Sequence, residues 1–289
     1  MVMSQDDVVS LMIKAGDNGS STLSFQGWGL DELPPDIGNL TGLTELDLGL
    51  NNLVDLPPEI GNLVNLTKLK IDRNYLTTIP PEIGNLQNLT ELHAGDNNLD
   101  QLPSEVGNLI NLESLQLGHS PMFPRPNQLS MLPPEIGNLR GLTRLNLYRN
   151  RVTELPGEIG NLTNLMYLNL EDNRLKELPY TIGKLADLKI LALTNNELTE
   201  LPPEIGNLIG LTELLLGGNR LDELPSEIGH LTNLTELFLE DNQLKELPGQ
   251  LEQLTDLSIL YLYGNELGRS DFDFSRMANL THVLIETPR

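Results

Sequence analysis

Hydrophobic and polar positions recur along this chain with a fixed step of 23 residues. The segment LTELDLGLNNLVDLPPEIGNLVN (43–65) returns as LTKLKIDRNYLTTIPPEIGNLQN (66–88) and again as LTELHAGDNNLDQLPSEVGNLIN (89–111). Ten such repeats run over 43–279, after a divergent first repeat at 20–42. A sequence period of this length predicts a solenoid, in which each repeat packs on its two neighbours.

Each repeat opens with an alternation of apolar and polar residues, which predicts a short strand. In LTELDL, we expect Leu46 and Leu48 to point inward, whereas Glu45 and Asp47 point outward. An asparagine follows at the bend, where a side-chain amide can serve both donors and acceptors of the buried backbone. The predicted asparagine ladder comprises Asn51, Asn74, Asn97, Asn127, Asn150, Asn173, Asn196, Asn219, Asn242 and Asn265.

The second half of the repeat, LPPEIGNL, predicts a short 3₁₀ or α-helical segment. Its prolines fix φ and lack an N–H, so they favour the start of a helical turn. The glycine and asparagine that follow favour a tight exit. One strand and one helical segment per repeat predict an α/β solenoid: a right-handed horseshoe with a parallel concave β-sheet and short 3₁₀/α segments on the convex side.

Both ends of such a stack require a cap. Ser4 can cap an N-terminal helix in which Val8, Leu11 and Met12 share one face. An uncovered strand edge promotes aggregation, so we expect the natural polypeptide to continue past Arg289. The predicted domains are a capping helix at 1–19, the solenoid at 20–279 with an insertion near 119–126, and a C-terminal strand and cap at 280–289.

The pattern LxxLxLxxNxL, repeated throughout the chain, resembles that of leucine-rich repeat proteins. The LPPEIGNL wording resembles the repeats of plant intracellular Ras-group-related proteins, of Roco GTPases and of bacterial leucine-rich repeat proteins. It is also similar to plant receptor ectodomains, but their LxGxIP turn and cysteine-bearing caps are missing here, which argues against a receptor ectodomain. The resemblance implies a protein-binding scaffold, often one module of a larger signalling or effector protein.

The composition excludes several function classes. A net charge of −23 argues against nucleic acid and anionic membranes as partners, because phosphate groups are bound mainly by clustered Lys and Arg side chains. No apolar run is long enough to cross a bilayer, so membrane insertion is not expected. The absence of cysteine excludes a disulfide framework and fits a reducing compartment. We therefore expect a monomeric cytoplasmic protein, with a secreted bacterial effector as the alternative location.

The chain contains no motif that predicts catalysis. A GxxxxGK[ST] loop, a nucleophile elbow, HExxH and an EF-hand loop are all missing, so we predict a non-enzymatic protein without a cofactor. His93 and His119, with Asp96 nearby, are the best metal candidates, but scattered histidines are typical of a surface and no metal site is predicted. We interpret the NLT sequons as by-products of the repeat.

The outward strand positions change from polar to apolar along the chain. Leu215, Phe238 and Tyr261 follow one another at the same position of three repeats, with Tyr263 beside them. Neighbouring strands lie about 4.8 Å apart, so these side chains are expected to form one exposed row. Such a patch indicates an interface. The alternatives are a ladder that covers itself, or one that a missing C-terminal segment covers.

A second candidate site combines tyrosine and arginine, the residue types enriched at binding hot spots. Tyr148 and Arg149, with Arg151, belong to one repeat, and Tyr167 and Arg174 belong to the next. In so acidic a protein, this basic cluster could select an acidic segment of a partner. The alternative is salt pairing with the neighbouring acids.

One stretch, GHSPMFPRPNQL (118–129), breaks the period with seven extra residues. It follows the strand LESLQL and precedes Asn127, so we expect it to bulge close to the concave face, with Met122, Phe123 and Arg125 offered outward or folded back over the neighbouring repeats. Its prolines stiffen it, which lowers the entropy lost on binding. The insertion is interpreted as a binding element, as a lid that packs on the sheet, or as a neutral loop.

These observations predict a non-enzymatic module that binds a protein or peptide on its concave face. The alternative is the recognition domain of a larger signalling or effector enzyme, such as a Roco-like GTPase or a bacterial effector. A receptor for small molecules or glycans would require a pocket between the insertion and the sheet.

Overall fold

A computed structural model describes residues 5–118, 125–268 and 274–285. The chain forms two compact units, Met1–Asn146 and Leu147–Arg289. The same elements alternate in both, one three-residue strand and one short 3₁₀ segment per repeat. The predicted α/β leucine-rich solenoid is therefore confirmed, and the prolines of LPPEIGNL begin 3₁₀ segments rather than α-helices.

The described part of the first unit contains one α-helix and six strands. Their bounds are α1 (Gln5–Asp17), β1 (Thr22–Ser24), β2 (Glu45–Asp47), β3 (Lys68–Lys70), β4 (Glu91–His93), β5 (Ser114–Gln116) and β6 (Arg144–Asn146). Its 3₁₀ segments span Pro35–Asn39, Pro58–Asn62, Pro81–Asn85, Ser104–Asn108 and Pro134–Asn138. In α1, Val8 and Met12 are buried and Leu11 is half-buried.

Six further strands lie in those parts of the second unit that the structure describes. Their bounds are β7 (Tyr167–Asn169), β8 (Ile190–Ala192), β9 (Glu213–Leu215), β10 (Glu236–Phe238), β11 (Ile259–Tyr261) and β12 (His282–Leu284). Its 3₁₀ segments span Gly157–Asn161, Tyr180–Lys184, Pro203–Asn207, Ser226–His230, Gly249–Gln253 and Phe274–Arg276.

Within each unit the strands are parallel and follow one another in chain order. The central strand residue points inward, and its two neighbours point outward. The last outward residues stand in register as Ser24, Asp47, Lys70, His93, Gln116 and Asn146 in the first unit. They stand as Asn169, Ala192, Leu215, Phe238, Tyr261 and Leu284 in the second. The predicted column is thus confirmed within each unit.

Aliphatic side chains fill the space beneath the strands. In the repeat 66–88 the buried side chains are Leu66, Leu69, Ile71, Leu76, Ile79, Ile83 and Leu86. Each contributes about 1.5–3 kcal/mol when it is fully buried, so the free energy of folding comes mainly from this repeated layer. The equivalent positions are buried in both units, which confirms the predicted alternation.

The asparagine ladder is confirmed by its hydrogen bonds. Asn74 is 3% exposed, and its Nδ2 donates to the carbonyls of Leu48 (2.9 Å) and Ile71 (3.1 Å). Its Oδ1 accepts from the N–H of Leu53 at 3.1 Å. One amide therefore satisfies backbone groups of its own repeat and of the preceding one, which is why the bend requires asparagine.

The NLT wording forms a second ladder that the sequence reasoning missed. Asn65 Nδ2 donates to the carbonyl of Thr41 at 2.8 Å, and Thr67 Oγ1 donates to that of Thr44 at 3.0 Å. The same two bonds recur one repeat later, from Asn88 and Thr90. In four of the six sequons, both the asparagine and the threonine donate a hydrogen bond to the preceding repeat, which explains why the NLT pattern recurs. These sequons begin at Asn65, Asn88, Asn233 and Asn279.

Candidate protein-binding surface

The outward strand face of the first unit is a network of paired charges. Lys68 Nζ lies 2.6 Å from Glu91 Oε2 on the next strand, and Lys70 Nζ lies 3.5 Å from Asp47 Oδ2 on the preceding one. The hydrogen bond from Lys68 is the main reason that the pKa of Glu91 is lowered. Opposite charges on adjacent strands neutralise each other here, so this face offers little unsatisfied charge to a partner.

His93 belongs to this network. Its Nε2 lies 3.5 Å from Glu91 Oε2, and burial lowers the pKa of the imidazole, which favours its neutral form. His119 lies outside the described residues. Among 5–118, 125–268 and 274–285, no three His, Cys, Asp or Glu side chains are grouped to hold a metal ion.

The described end of the insertion contacts an earlier repeat. Arg125 is exposed, and its guanidinium lies 4.3 Å from the ring centroid of Tyr75, which follows β3. Arg73, within 3.6 Å of Asp72 and Asp96 oxygens, lines the same open cavity of about 250 Å³. Met122 and Phe123 lie outside the described residues, so their binding role stays a prediction. The position of Arg125 agrees with either a lid or a binding element.

The second unit presents an aromatic row on its outward strand face. The apolar patch, as we name it, comprises Leu215, Phe238, Tyr261 and Tyr263. The rings of Phe238 and Tyr261 meet edge to face, with centroids 5.0 Å apart, and Tyr263 lies 6.3 Å beyond Tyr261. All four side chains remain half-buried, so the ladder covers itself only in part. Leu284, in register with Tyr261, is 48% exposed and extends the patch.

Acidic residues flank the apolar patch, and the sequence reasoning did not single them out. Glu213 and Glu236 stand side by side on β9 and β10. Burial raises the pKa of Glu213, and the neighbouring Glu236 raises it further. Burial also raises the pKa of Glu240, whose Oε2 is shielded from solvent and accepts no hydrogen bond from the described residues. The sequence did contain a signal for the Glu213–Glu236 pair, because both repeats have a glutamate at the same position.

The tyrosine–arginine cluster is partly neutralised. Arg149 Nε lies 3.1 Å from Asp172 Oδ2, and its guanidinium lies 5.8 Å from the ring centroid of Tyr148. Burial, and then the Asp172 carboxylate, raises the pKa of Tyr148. The salt-pairing alternative therefore describes Arg149, although 46% of its side chain remains exposed. Tyr167 lies on β7, where its hydroxyl accepts from Asn169 Nδ2 at 3.0 Å.

Comparison with protein families agrees with this architecture. A model described as a leucine-rich repeat region matches residues 22–119 and 157–220, and two further leucine-rich repeat models match 209–267 and 141–162. The chain belongs to the leucine-rich repeat family. Comparison of this leucine-rich repeat protein with curated sequences gave no match.

Several solved leucine-rich repeat structures are similar to the chain. The plant peptide hormone receptor RGFR1, in complex with RGF2, is 34% identical at a TM-score of 0.76 and covers 88% of this chain and 42% of its own. The GASSHO1/SCHENGEN3 ectodomain of Arabidopsis thaliana, in complex with CASPARIAN STRIP INTEGRITY FACTOR 2, is 31% identical with a TM-score of 0.63. The match covers 91% of this chain and 38% of the ectodomain chain. The Listeria monocytogenes internalin InlF shares the fold, at 22% identity and a TM-score of 0.63. The match covers 98% of this chain and 94% of the internalin chain.

These comparisons establish the kind of module. The leucine-rich repeat fold is a protein-interaction module, typically without enzymatic activity. One of the two plant structures is a peptide hormone receptor in complex with RGF2. The chain spans about two fifths of the length of those two receptor structures. In the described part of the chain, no helix has the length and apolar character needed to cross a membrane.

Proposed function

We propose that this leucine-rich repeat protein is a non-enzymatic module that binds a protein or peptide on the outward face of β9–β11, which is the concave face expected of the solenoid. The supporting observation is the outward-facing, half-buried row formed by Phe238, Tyr261 and Tyr263. A contiguous aromatic patch costs solubility, so it usually marks an interface, and tyrosine is enriched among hot-spot residues.

The strands beneath make this patch a rigid platform. Leu214, Leu237 and Leu260 are fully buried below the outward residues and fix the backbone on which they stand. A partner therefore meets side chains that are already ordered, and little conformational entropy is lost on binding. The complexes of the peptide hormone receptor RGFR1 with RGF2 and of GASSHO1 with CASPARIAN STRIP INTEGRITY FACTOR 2 support a peptide or protein partner for this chain as well.

Each unit also offers one candidate for a further contact. The exposed guanidinium of Arg149 and the ring of Tyr148 can add polar and stacking contacts in the second unit. Arg125, stacked on Tyr75 in the first unit, is the corresponding candidate from the insertion. Both arginines already have a neighbour, so we assign the main binding energy to the apolar patch.

The test compares three immobilised proteins with a phage-displayed library of random linear peptides. They are the wild type, the patch variant Phe238→Ala/Tyr261→Ala/Tyr263→Ala, and a control that changes the same face in the first unit, Lys70→Ala/His93→Ala/Gln116→Ala. We expect peptides selected on the wild type to bind the control equally well and to lose at least about tenfold in affinity on the patch variant.

Circular dichroism confirms beforehand that all three proteins are folded, which is expected because every substituted side chain points outward. Equal binding of the selected peptides to all three proteins would remove the patch from the proposal. Loss on the first-unit control alone would move the binding face to the first unit.

A further inference from the structure

The two outward columns of the second unit contain no lysine or arginine. Their described residues are Tyr167, Asn169, Ile190, Ala192, Glu213, Leu215, Glu236, Phe238, Ile259, Tyr261, His282 and Leu284. The negative charges among them are Glu213 and Glu236, and both lie beside the apolar patch. Every other fixed negative charge close to the patch, such as that of Glu240, comes from the loops after the strands.

Glu213 and Glu236 are like charges on neighbouring strands. They stand in register on neighbouring strands, whose backbones lie about 4.8 Å apart. Neither carboxylate forms an ion pair with a described residue. Like charges directly opposite each other destabilise a sheet. Burial is the main cause of the raised pKa of Glu213, and the carboxylate of Glu236 raises it further. A cation placed between the two would relieve this repulsion.

The acids also stand in a defined relation to the aromatic rings. On β10 the outward residues read Glu236, Phe238 and, just past the strand, Glu240, so a carboxylate lies on each side of the ring. Outward residues two apart along a strand are about 6.6 Å apart. Phe238, at the centre of the apolar patch, therefore has a carboxylate on each side along its strand, within the reach of one extended peptide.

Glu240 supplies a further acceptor. Its side chain lies over Gly217, where a Cβ would collide with the Glu240 carboxylate, so glycine leaves the space that this side chain occupies. Its Oε2 is shielded and accepts no hydrogen bond among the described residues. A shielded oxygen without a donor costs free energy, and a donor on a partner could satisfy it after a small side-chain movement.

We propose that the occupant of the apolar patch is a cationic segment of a protein or peptide, in which lysine or arginine side chains flank apolar ones. The inference rests on the proposed function and names the chemistry of the partner. Apolar side chains would cover Phe238 and Tyr261, while the cations would meet Glu213 and Glu236. An acidic segment is disfavoured because it would add a third negative charge to an already repulsive pair.

The experiment uses three synthetic peptides of equal length, with blocked ends and a fluorescein label. In each, leucine and phenylalanine alternate with one other residue: lysine, glutamate or serine. Binding to the full chain is measured by fluorescence anisotropy at low and at high salt. We expect the lysine peptide to bind at least about tenfold more tightly than the other two, with an advantage that shrinks as salt screens the charges.

Two charge variants then locate the attraction. Glu213→Gln/Glu236→Gln removes both carboxylates from the strand face. Glu59→Gln/Glu82→Gln changes the net charge equally but acts on 3₁₀ segments of the first unit. We expect the lysine peptide to bind the first variant about tenfold more weakly than the wild type, and to bind the second within about twofold of the wild type.

Each remaining outcome overturns the inference. Equal weakening by both charge variants would assign the attraction to net charge. Equal binding of the serine or glutamate peptide would remove charge as the criterion, and failure of all three peptides would reject a cationic apolar segment. The proposed function is judged separately, because it stands if the patch variant loses the library-selected peptides and falls if it retains them.

Discussion

The outward strand faces of the two units differ, although the repeats beneath them are built alike. In the first unit, Lys68 and Glu91 lie 2.6 Å apart and Lys70 and Asp47 lie 3.5 Å apart, so charges alternate and neutralise each other. In the second unit, the carboxylates of Glu213 and Glu236 are neighbours, and aromatic rings occupy the adjacent column. On the first face several charges are paired across neighbouring strands. On the second, the described residues leave two neighbouring carboxylates without an ion pair, beside a half-buried apolar row.

This difference separates the residues that hold the solenoid from those that are free to recognise a partner. The inward leucines and the asparagine ladder recur in both units and are buried in most repeats, although Leu23, Leu247 and Asn265 are half-buried. On the strands, residue type varies mainly at the outward positions. This variation costs the core little, because these side chains point away from it. A repeat scaffold can therefore change its binding chemistry along its length while its stability stays nearly uniform.

The largest expected effect tests whether the two cores are equivalent. Leu69→Ala in the first unit and Leu237→Ala in the second each remove a fully buried side chain. Each should lower the free energy of unfolding by about 3 kcal/mol, through lost burial and the cavity left behind. Urea denaturation measures both. If one substitution costs less than about 1 kcal/mol, the two cores are not packed alike.

Substitution of a ladder asparagine should lower the free energy of unfolding almost as much, and by similar amounts in the two units. Asn74→Ala and Asn242→Ala each leave a backbone N–H and several carbonyls without their amide partner. We expect a loss of about 2 kcal/mol from each in the same denaturation experiment. As a control, Asn52→Ala in the first unit removes an exposed asparagine and should change little. Similar losses at all three positions would contradict a specific role for the ladder.

Binding should separate the two faces where stability does not. Phe238→Ala removes the central ring of the apolar patch, and Lys70→Ala changes the corresponding column of the first unit. For a library-selected peptide, we expect Phe238→Ala to cost about 2 kcal/mol of binding free energy and Lys70→Ala less than about 0.5 kcal/mol. Isothermal titration calorimetry measures both. The reverse order would place the interface on the paired face.

The smallest expected effect is opposite in sign in the two units. Glu213→Gln should raise the free energy of unfolding at neutral pH by about 0.5 kcal/mol, because it relieves like-charge repulsion. Glu91→Gln should lower it by a similar amount, about 0.5 kcal/mol, because it breaks a cross-strand pair. The same sign for both would erase the electrostatic contrast between the faces.

The pH dependence sharpens this test. The pKa of Glu213 is raised above its ordinary value of 4.5, so its stabilising contribution is present below that value and is lost as pH rises through the raised pKa. The pKa of Glu91 is lowered, so its contribution is present above 4.5 and is lost as pH falls through the lowered pKa. The advantage of Glu213→Gln over wild type should therefore grow with rising pH. The deficit of Glu91→Gln should shrink as pH falls.

Much of the fold could be predicted because it depends on local repetition. The 23-residue step, the alternation around Leu46 and Leu48, and the asparagine at each bend follow from period and residue chemistry. The row Leu215, Phe238, Tyr261 follows from the same register, since equal repeat lengths bring equal positions side by side. The position of Arg125 over Tyr75 could not be predicted, because an irregular insertion has no period.

The sequence by itself determined which residues form the core, which form the ladder and which face outward, because each of these depends only on position within the repeat. The tertiary structure decided which outward charges meet. Lys68 reaches Glu91 and Arg149 reaches Asp172, while Glu213 and Glu236 lie side by side with no ion-paired cation among the residues that the structure describes. Pairing depends on side-chain reach across neighbouring strands and on local burial, and neither is encoded in the repeat pattern.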